Sequence, residues 1–413
     1  MTRILPIMVL AGLFLMVVQI NRQSGAVLAI HFQEVMGLTA TQIGFVSGAM
    51  YLGATIAQIP TCILFDRLGA RQTLAGLGAI ALFGLAIFAL SEAPTGLALG
   101  RLLVGIGHAG VITSIYMLAI AWERPERMAS TSSTVIGLGG GVGGVLATTP
   151  LAIALAGYGL AGTFLGLALV TTVATLAIWF LVRDQPAGAP PAAAGRGESL
   201  GESLAGVWQI IRDREFQRVV IMGSCFSAPF TTIGGLWAGP YLTEVYDLGQ
   251  TDASYALLAM MLAFNLGTVA YGPLDRWFNT RKYVVLGGVV VMVLLLLALA
   301  VMIDVNPWLS IVLLVAFSFA TPMYPVLMAH CRGFVPAARA GRAITTVTMV
   351  GLGGVFVMQF GTGAVMDLLR QGYGWPVAET YRVVFLLVAL ALLVAGAFYA
   401  PVRDIKPNAP APL

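Results

Sequence analysis

Apolar runs such as Thr73–Leu90 and Val284–Ile303 continue for a bilayer's thickness with almost no charge to interrupt them. No other feature of the chain constrains its fold as tightly. A helix rises 1.5 Å per residue, so about 20 apolar residues cross the hydrocarbon core. Backbone polar groups in lipid must be satisfied internally, which leaves helices and closed barrels. Barrel strands alternate apolar and polar residues over short segments, and these runs do not alternate. The whole sequence is 59% hydrophobic and 10% charged, with a mean hydropathy of +0.91; soluble domains carry about 25% charge. A soluble enzyme, a disordered chain and a collagen-like fibre are excluded. Three cysteines in 43.3 kDa exclude a disulfide scaffold.

The chain reads as an all-α membrane protein with twelve transmembrane helices. They fall over residues 5–33, 41–64, 73–91, 95–121, 131–155, 160–182, 217–243, 252–274, 283–303, 307–330, 342–366 and 381–401. Met1–Ile20, with Arg3, has the outline of a signal peptide. No small-residue cleavage site follows, and the helix continues through Asn21-Arg22-Gln23.

Basic residues give the orientation. With both termini in the cytoplasm, the opposite side carries only Arg370 and Arg382. Arg22 and Arg101 lie within spans, and every other Lys and Arg of the 22 is cytoplasmic. A multi-pass protein of the bacterial inner (plasma) membrane is expected, with the lipid bilayer as its surroundings. The pI near 9.0 is then explained without nucleic acid.

The sequence also repeats itself. Phe65-Asp66-Arg67 follows the second helix, and Leu274-Asp275-Arg276 follows the eighth. Glu34-Val35 closes the first helix and Glu244-Val245 the seventh. Gly137-Leu138-Gly139-Gly140 returns as Gly351-Leu352-Gly353-Gly354. Three matches in the same order at near-equal spacing indicate a duplicated six-helix unit. The expected organisation is an N-terminal bundle over 1–182, a Pro- and Ala-rich cytoplasmic linker over 183–216 and a C-terminal bundle over 217–413. Within the linker, Leu200–Ile211 reads as a short surface helix.

Asp66, Arg67, Gly69 and Arg71 match the loop signature Gly-x-x-x-Asp-Arg-x-Gly-Arg-Arg/Lys, with Cys62 and Ala70 departing from it. Arg101, Gly105 and Gly107 match the fourth-helix signature Arg-x-x-x-Gly-x-Gly. On these residues the chain resembles the major facilitator superfamily over essentially its whole length. The Gly-Pro pair of that family's antiporters is absent from helix five, where Gly137, Gly139, Gly140, Gly141, Gly143 and Gly144 cluster instead.

The resemblance implies a secondary transporter working by alternating access, not an enzyme, and commonly a monomer. It places helices one, four, seven and ten around a cavity, with three, six, nine and twelve toward lipid. Polar residues fall accordingly: Asn21, Arg22, Gln23, Arg101, His108, Thr231, Thr232, Tyr324 and His330 all lie on the first set. It also implies a gate at Asp66, Arg67 and Arg71, with Asp275, Arg276 and Arg281 as its counterpart. Arg101 is implied to bond neighbouring helices and shape the cavity.

Arg22 carries most of the substrate reading. It lies about 25 Å along the first helix, too deep to snorkel easily. A guanidinium there costs at least about 3 kcal/mol unless paired, and a substrate carboxylate would fit its fork. Helix-end carbonyls or polar side chains are the alternative partners. Organic-anion carriers of this superfamily place an arginine on helix one in a similar way. Gln19 and Gln23 share one face of that helix, and Arg22 points elsewhere; Gln19 is the favoured companion. Tyr51, His108, Tyr116, Thr231, Trp237 and Tyr324 complete the candidate substrate-binding set.

His31, Glu34 and His108 are candidates for proton coupling, with ordinary polar helix ends or packing as the competing reading. His330, beside Cys331 and Met328, reads as packing, not as a metal site. Gly139-x-Gly141-x-x-Gly144 matches a dinucleotide string, but it lies in an apolar helix without a preceding strand. No catalytic residue, cofactor or metal is expected. The predicted function is proton-coupled transport of a small organic anion. Export of an amphipathic compound and a non-transport assembly role are the alternatives.

Overall fold

The structure, a computed structural model, describes residues 4–185, 200–336 and 339–407. Arg3 and Arg196, counted above on the basic side, lie outside them. The described residues are helical throughout, apart from short turns, and ten helices are long and apolar enough to cross a membrane. The twelve-helix reading stands beside that number because α3 (Ala40–Leu90) holds two predicted helices. They join at Gly69, whose φ of 77° turns the chain; a left-handed φ carries no steric penalty in glycine. Predicted helix five is divided. Most of it is α6 (Pro125–Leu146), and its end belongs to α7 (Thr149–Leu181), which turns at Gly159 into the sixth helix.

Several predicted helices are broken. The first is α1 (Ile4–Gln23) and α2 (Gly25–Glu34), separated at Ser24. The fourth is α4 (Pro94–His108) and α5 (Val111–Trp122), separated at Ala109-Gly110. In the linker, α8 (Leu200–Ile211) forms where the short helix is predicted. The seventh comprises α9 (Arg214–Gly223), α10 (Ala228–Thr232), a wide π turn over Ile233–Trp237 and α11 (Ala238–Tyr246). After α12 (Gln250–Trp277) and α13 (Lys282–Val301), the tenth divides into α14 (Pro307–Ala320) and α15 (Tyr324–Cys331) around Pro322. The chain closes with α16 (Ala340–Asp367) and α17 (Val377–Tyr399). Non-helical backbone at membrane depth is tolerated only when buried in protein or lining water. On the interrupted helices one, four, seven and ten, Asn21, Ser24, Arg101, His108, Thr231, Thr232 and His330 are buried.

Two compact units result. One is Met1–Gly25 with Ala49–Ser203; the other is Ala26–Gly48 with Leu204–Leu413. The sequence repeat assigns Ala26–Gly48 to the first bundle, yet its packing is with the second unit. There, a Cβ on Gly44 would strike the Gln359 backbone, and one on Gly239 would lie 2.6 Å from the Ala26 carbonyl. The Asp367 carboxylate also accepts from the Ala40 and Thr41 amides at 3.0 and 2.8 Å, satisfying orphan donors at the start of α3.

Lipid supplies no hydrophobic force between helices, so close backbone approach becomes the packing device. In the first unit a Cβ on Gly105 would strike the Met50 carbonyl, and one on Gly139 would lie 2.7 Å from the Gly12 carbonyl. In the second, Gly354 of α16 meets Ser224, just past α9. The glycine repeat thus packs on helix one in one unit and on helix seven in the other. Val290, Leu294 and Val301 of α13 are exposed, as an apolar surface toward lipid requires.

Candidate functional sites in the two units

The break at Ser24 frees backbone carbonyls, and the first unit arranges its polar side chains around them. Arg101, buried at 1% exposure, donates through Nη1 to the Asn21 carbonyl at 2.9 Å and to Ser24 Oγ at 3.4 Å. The Ser24 hydroxyl donates to the same carbonyl at 2.9 Å. Tyr51, on α3, donates from its hydroxyl to the Arg22 carbonyl at 2.9 Å. Two long side chains from neighbouring helices thereby replace the missing helical donors. The Arg101 guanidinium also lies 5.6 Å over the Phe88 ring.

Arg22 is half-buried beside this cluster. His108 is 2% exposed and meets Phe14 edge-on at 6.2 Å. Neither of its ring nitrogens has a hydrogen-bond partner among the described residues. Gln19 lies over the glycine face of α6, 3.9 Å from the Cβ position of Gly140, with its Oε1 buried and unpartnered among the described residues. Gln23 is half-buried, and Tyr116 is 44% exposed. Of the predicted residues in this unit, the structure gathers Arg22, Tyr51, Arg101 and His108.

In the second unit, the broken helix seven presents Thr231, whose hydroxyl donates back to Ser227. Its backbone carbonyl accepts from Gln359 Nε2 at 2.9 Å. Trp237 is fully buried and donates to Thr362 Oγ1 at 2.8 Å. Tyr324 packs on Phe226 with ring centroids 4.7 Å apart. His330 bonds the Tyr399 hydroxyl and the Arg403 carbonyl, which ties α15 to the chain after α17.

His31 is half-buried and Glu34 exposed on α2, and no hydrogen bond joins them among the described residues. Among the described residues, two carboxylates are paired on this side of the second unit: Glu379 with Arg382 at 2.9 Å, and Glu244. Arg370 holds it through two bonds of 3.0 and 2.8 Å, the Tyr381 hydroxyl donates to it at 2.5 Å, and Gln33 Nε2 at 3.2 Å. The sequence marked Glu244 only as a repeat landmark and Arg370 only as a charge. An acid near the end of an apolar helix, with only Arg370 and Arg382 as basic residues on the same side, was the available signal.

On the basic side, Asp66 and Arg67 are exposed. Arg71 donates from Nε to the Trp179 carbonyl at 2.7 Å and stacks on that ring at 5.0 Å, while its amide bonds Asp184 at 2.8 Å. In the second unit, Asp275 pairs with Arg281 at 3.4 Å, and Arg276 is exposed. Asp404 accepts from the Arg281 and Lys282 amides at 3.2 and 3.1 Å. Burial alone would raise its carboxyl. The Thr280 hydroxyl and these two amides outweigh that and hold it below the usual carboxylate range.

A bundle of broken, polar-lined membrane helices in two glycine-packed units defines a multi-pass solute transporter. The family model of the Major Facilitator Superfamily matches residues 7–357 and 219–413, and the chain belongs to that family. Its members move small molecules by alternating access, so this is a transporter and not an enzyme. No curated protein matches the sequence. Among solved structures, the fold is similar to a bacterial homologue of the human lysosomal transporter Spinster in an inward-facing, occupied conformation. That match has a TM-score of 0.76 at 16% identity, covering 95% of each chain. The D-xylose-proton symporter matches at 0.74 and 12%, covering 95% of this chain and 97% of that one. The nucleoside transporter NupG matches at 0.72 and 16%, covering 97% and 99%.

Proposed function

We propose that the chain moves a small, carboxylate-bearing organic anion across the bacterial inner membrane, coupled to protons, with Arg22 as the anion-gripping residue. One observation carries this reading. Helices α1, α4 and α5 contain no Asp or Glu, yet two arginines stand at the Ser24 break: Arg101 donates to the Asn21 carbonyl, and Arg22 is the next residue, its own carbonyl taking the Tyr51 hydroxyl. A positive field in a low-dielectric interior favours a negative cargo. Arg101 is buried against the carbonyl at the helix break. The more exposed Arg22 is the cation that an arriving anion meets.

His31, Glu34 and His108 are the candidates for proton coupling, and both ring nitrogens of His108 are unpartnered among the described residues. Cytoplasmic termini follow from the basic turns. The Asp66–Arg71 turn and the Asp275–Arg281 turn serve as gating elements at that face.

The test uses the purified chain in proteoliposomes, with labelled lactate, succinate and citrate as probes and a proton gradient imposed or collapsed. Uptake of one probe is expected, raised by the gradient and reduced at least tenfold in Arg22→Ala, with partial recovery in Arg22→Lys. Full uptake by both variants would remove the anion assignment. Uptake indifferent to the gradient would remove the coupling.

A further inference from the structure

We propose that the broken helix seven and α16 form a subsite for a hydrogen-bond-donating group of the cargo, a hydroxyl or an amino group, built from Gln359 and Thr232. The argument begins with the backbone. At Ile233–Trp237 the helix widens, and the Ala238 amide bonds back five residues to Ile233. Donors are thereby taken out of the regular α register, and π turns of this kind recur at functional sites. Gln359 reaches across from α16 to the Thr231 carbonyl beside this turn.

That bond fixes the amide's orientation. Nε2 must face the carbonyl, because Oε1 there would set two acceptors against each other. Oε1 is therefore the atom left over. Gln359 is 1% exposed, and its Oε1 has no partner among the described residues. Thr232, one residue from the bonded carbonyl, is 0% exposed, and its Oγ1 is likewise unpartnered among them. The commonest fate of a threonine in a membrane helix is a bond to the preceding turn. Thr231 makes such a bond, to Ser227, and Thr232 does not.

Gln359 Oε1, on the amide that bonds the Thr231 carbonyl, and Thr232 Oγ1, on the next residue along the chain, are thus both unpartnered among the described residues. An acceptor buried without a donor is costly in a low-dielectric interior. A ligand that brings a donor removes that cost, whereas one lacking it does not. Discrimination on this basis is strong, because the wrong ligand leaves the site's own polar atoms unpaired. The Gln359 backbone is closed off by α3, where a Cβ on Gly44 would strike it. The residue is held at its backbone by α3 and at its amide by the Thr231 carbonyl.

This subsite rests on the transport reading but not on Arg22. The experiment measures thermal stability of the full purified chain with matched probes: propionate against lactate, succinate against malate, and the neutral polyol xylitol. Thr232→Val keeps the shape and removes only the unpartnered hydroxyl. Gln359→Met keeps the volume and removes both amide atoms. The expected result is a larger shift with the hydroxylated member of one pair, at least threefold weaker in Thr232→Val. If a carboxylate shifts the chain equally with and without its hydroxyl, the subsite is wrong and the anion reading survives. If no carboxylate acts, the anion reading fails, and xylitol decides. A shift lost in both variants keeps the subsite; no shift, or one unchanged in both variants, overturns it.

Discussion

Arg370 grips Glu244 with both arms of its guanidinium, Nη1 to Oε1 at 3.0 Å and Nη2 to Oε2 at 2.8 Å, and it spans 126 residues of sequence to do so. The pair joins the π turn Leu368–Gly372, which follows α16, to α11. Tyr381 of α17 and Gln33 of α2 bond the same carboxylate, so one acid collects four helices. The side chains are 20% and 26% exposed, shielded enough for the contact to matter.

Removing one partner should therefore destabilise the second unit. Arg370→Ala is expected to cost about 1–3 kcal/mol, since it leaves a half-buried carboxylate with weaker donors. Arg370→Lys should recover only part of this, because an ammonium cannot bond both oxygens in parallel. Melting of the purified chain reads it directly, and an unchanged midpoint in Arg370→Ala would show the pair to be structurally idle.

Asp367 should act as an N-cap for a helix far away in sequence. Its carboxylate takes the Ala40 and Thr41 amides, so Asp367→Ala should cost about 1 kcal/mol and Asp367→Asn less. Hydrogen exchange at the start of α3 is the local readout. Protection there unchanged in Asp367→Ala would contradict the assignment.

The Asp404 carboxyl is held below its usual range, so it stabilises the fold in its charged form. The sign follows from proton linkage. The unfolded chain binds the proton more readily, at about pH 3.9, so the contribution is complete above that pH and is lost as the pH falls through the lower folded value. Asp404→Asn should melt below the parent by a constant margin from about pH 5 to 8. That margin should shrink as the pH falls below about 4. A margin that instead grows on acidification would reverse the assignment.

Glycine packing separates two kinds of position. A Cβ at Gly105 would strike the Met50 carbonyl, whereas nothing lies within 4 Å of one at Gly76. Gly105→Ala should destabilise the first unit by about 1–3 kcal/mol. Gly76→Ala, on the exposed face of α3, should be neutral or slightly stabilising. Equal melting of the two variants would refute the close crossing of α3 and α4.

Much of this architecture is legible in the residues. Span length and apolar continuity place the helices, and the short helix Leu200–Ile211 is marked by its position in a polar linker. Most of the helix breaks are not legible. Ser24 and Ala109-Gly110 sit in runs that a continuous helix would also accept; the break in helix ten has a marker, Pro322. Gln359 carried a signal, a lone amide in the apolar run Val355–Phe360. Its partner could not be foreseen, because the carbonyl it serves is freed by a turn in another helix.

Composition and spacing alone determined that this chain lives in lipid, that it is helical and that it repeats itself. Those properties follow from the cost of exposing backbone and charge to hydrocarbon, which acts residue by residue. Only the tertiary structure decided that Ala26–Gly48 packs with the second unit, that Glu244 takes Arg370, and that Gln359 and Thr232 keep unpartnered oxygens among the described residues. Each of these depends on which distant backbone approaches within hydrogen-bond reach, a matter of three-dimensional contact that no local pattern encodes.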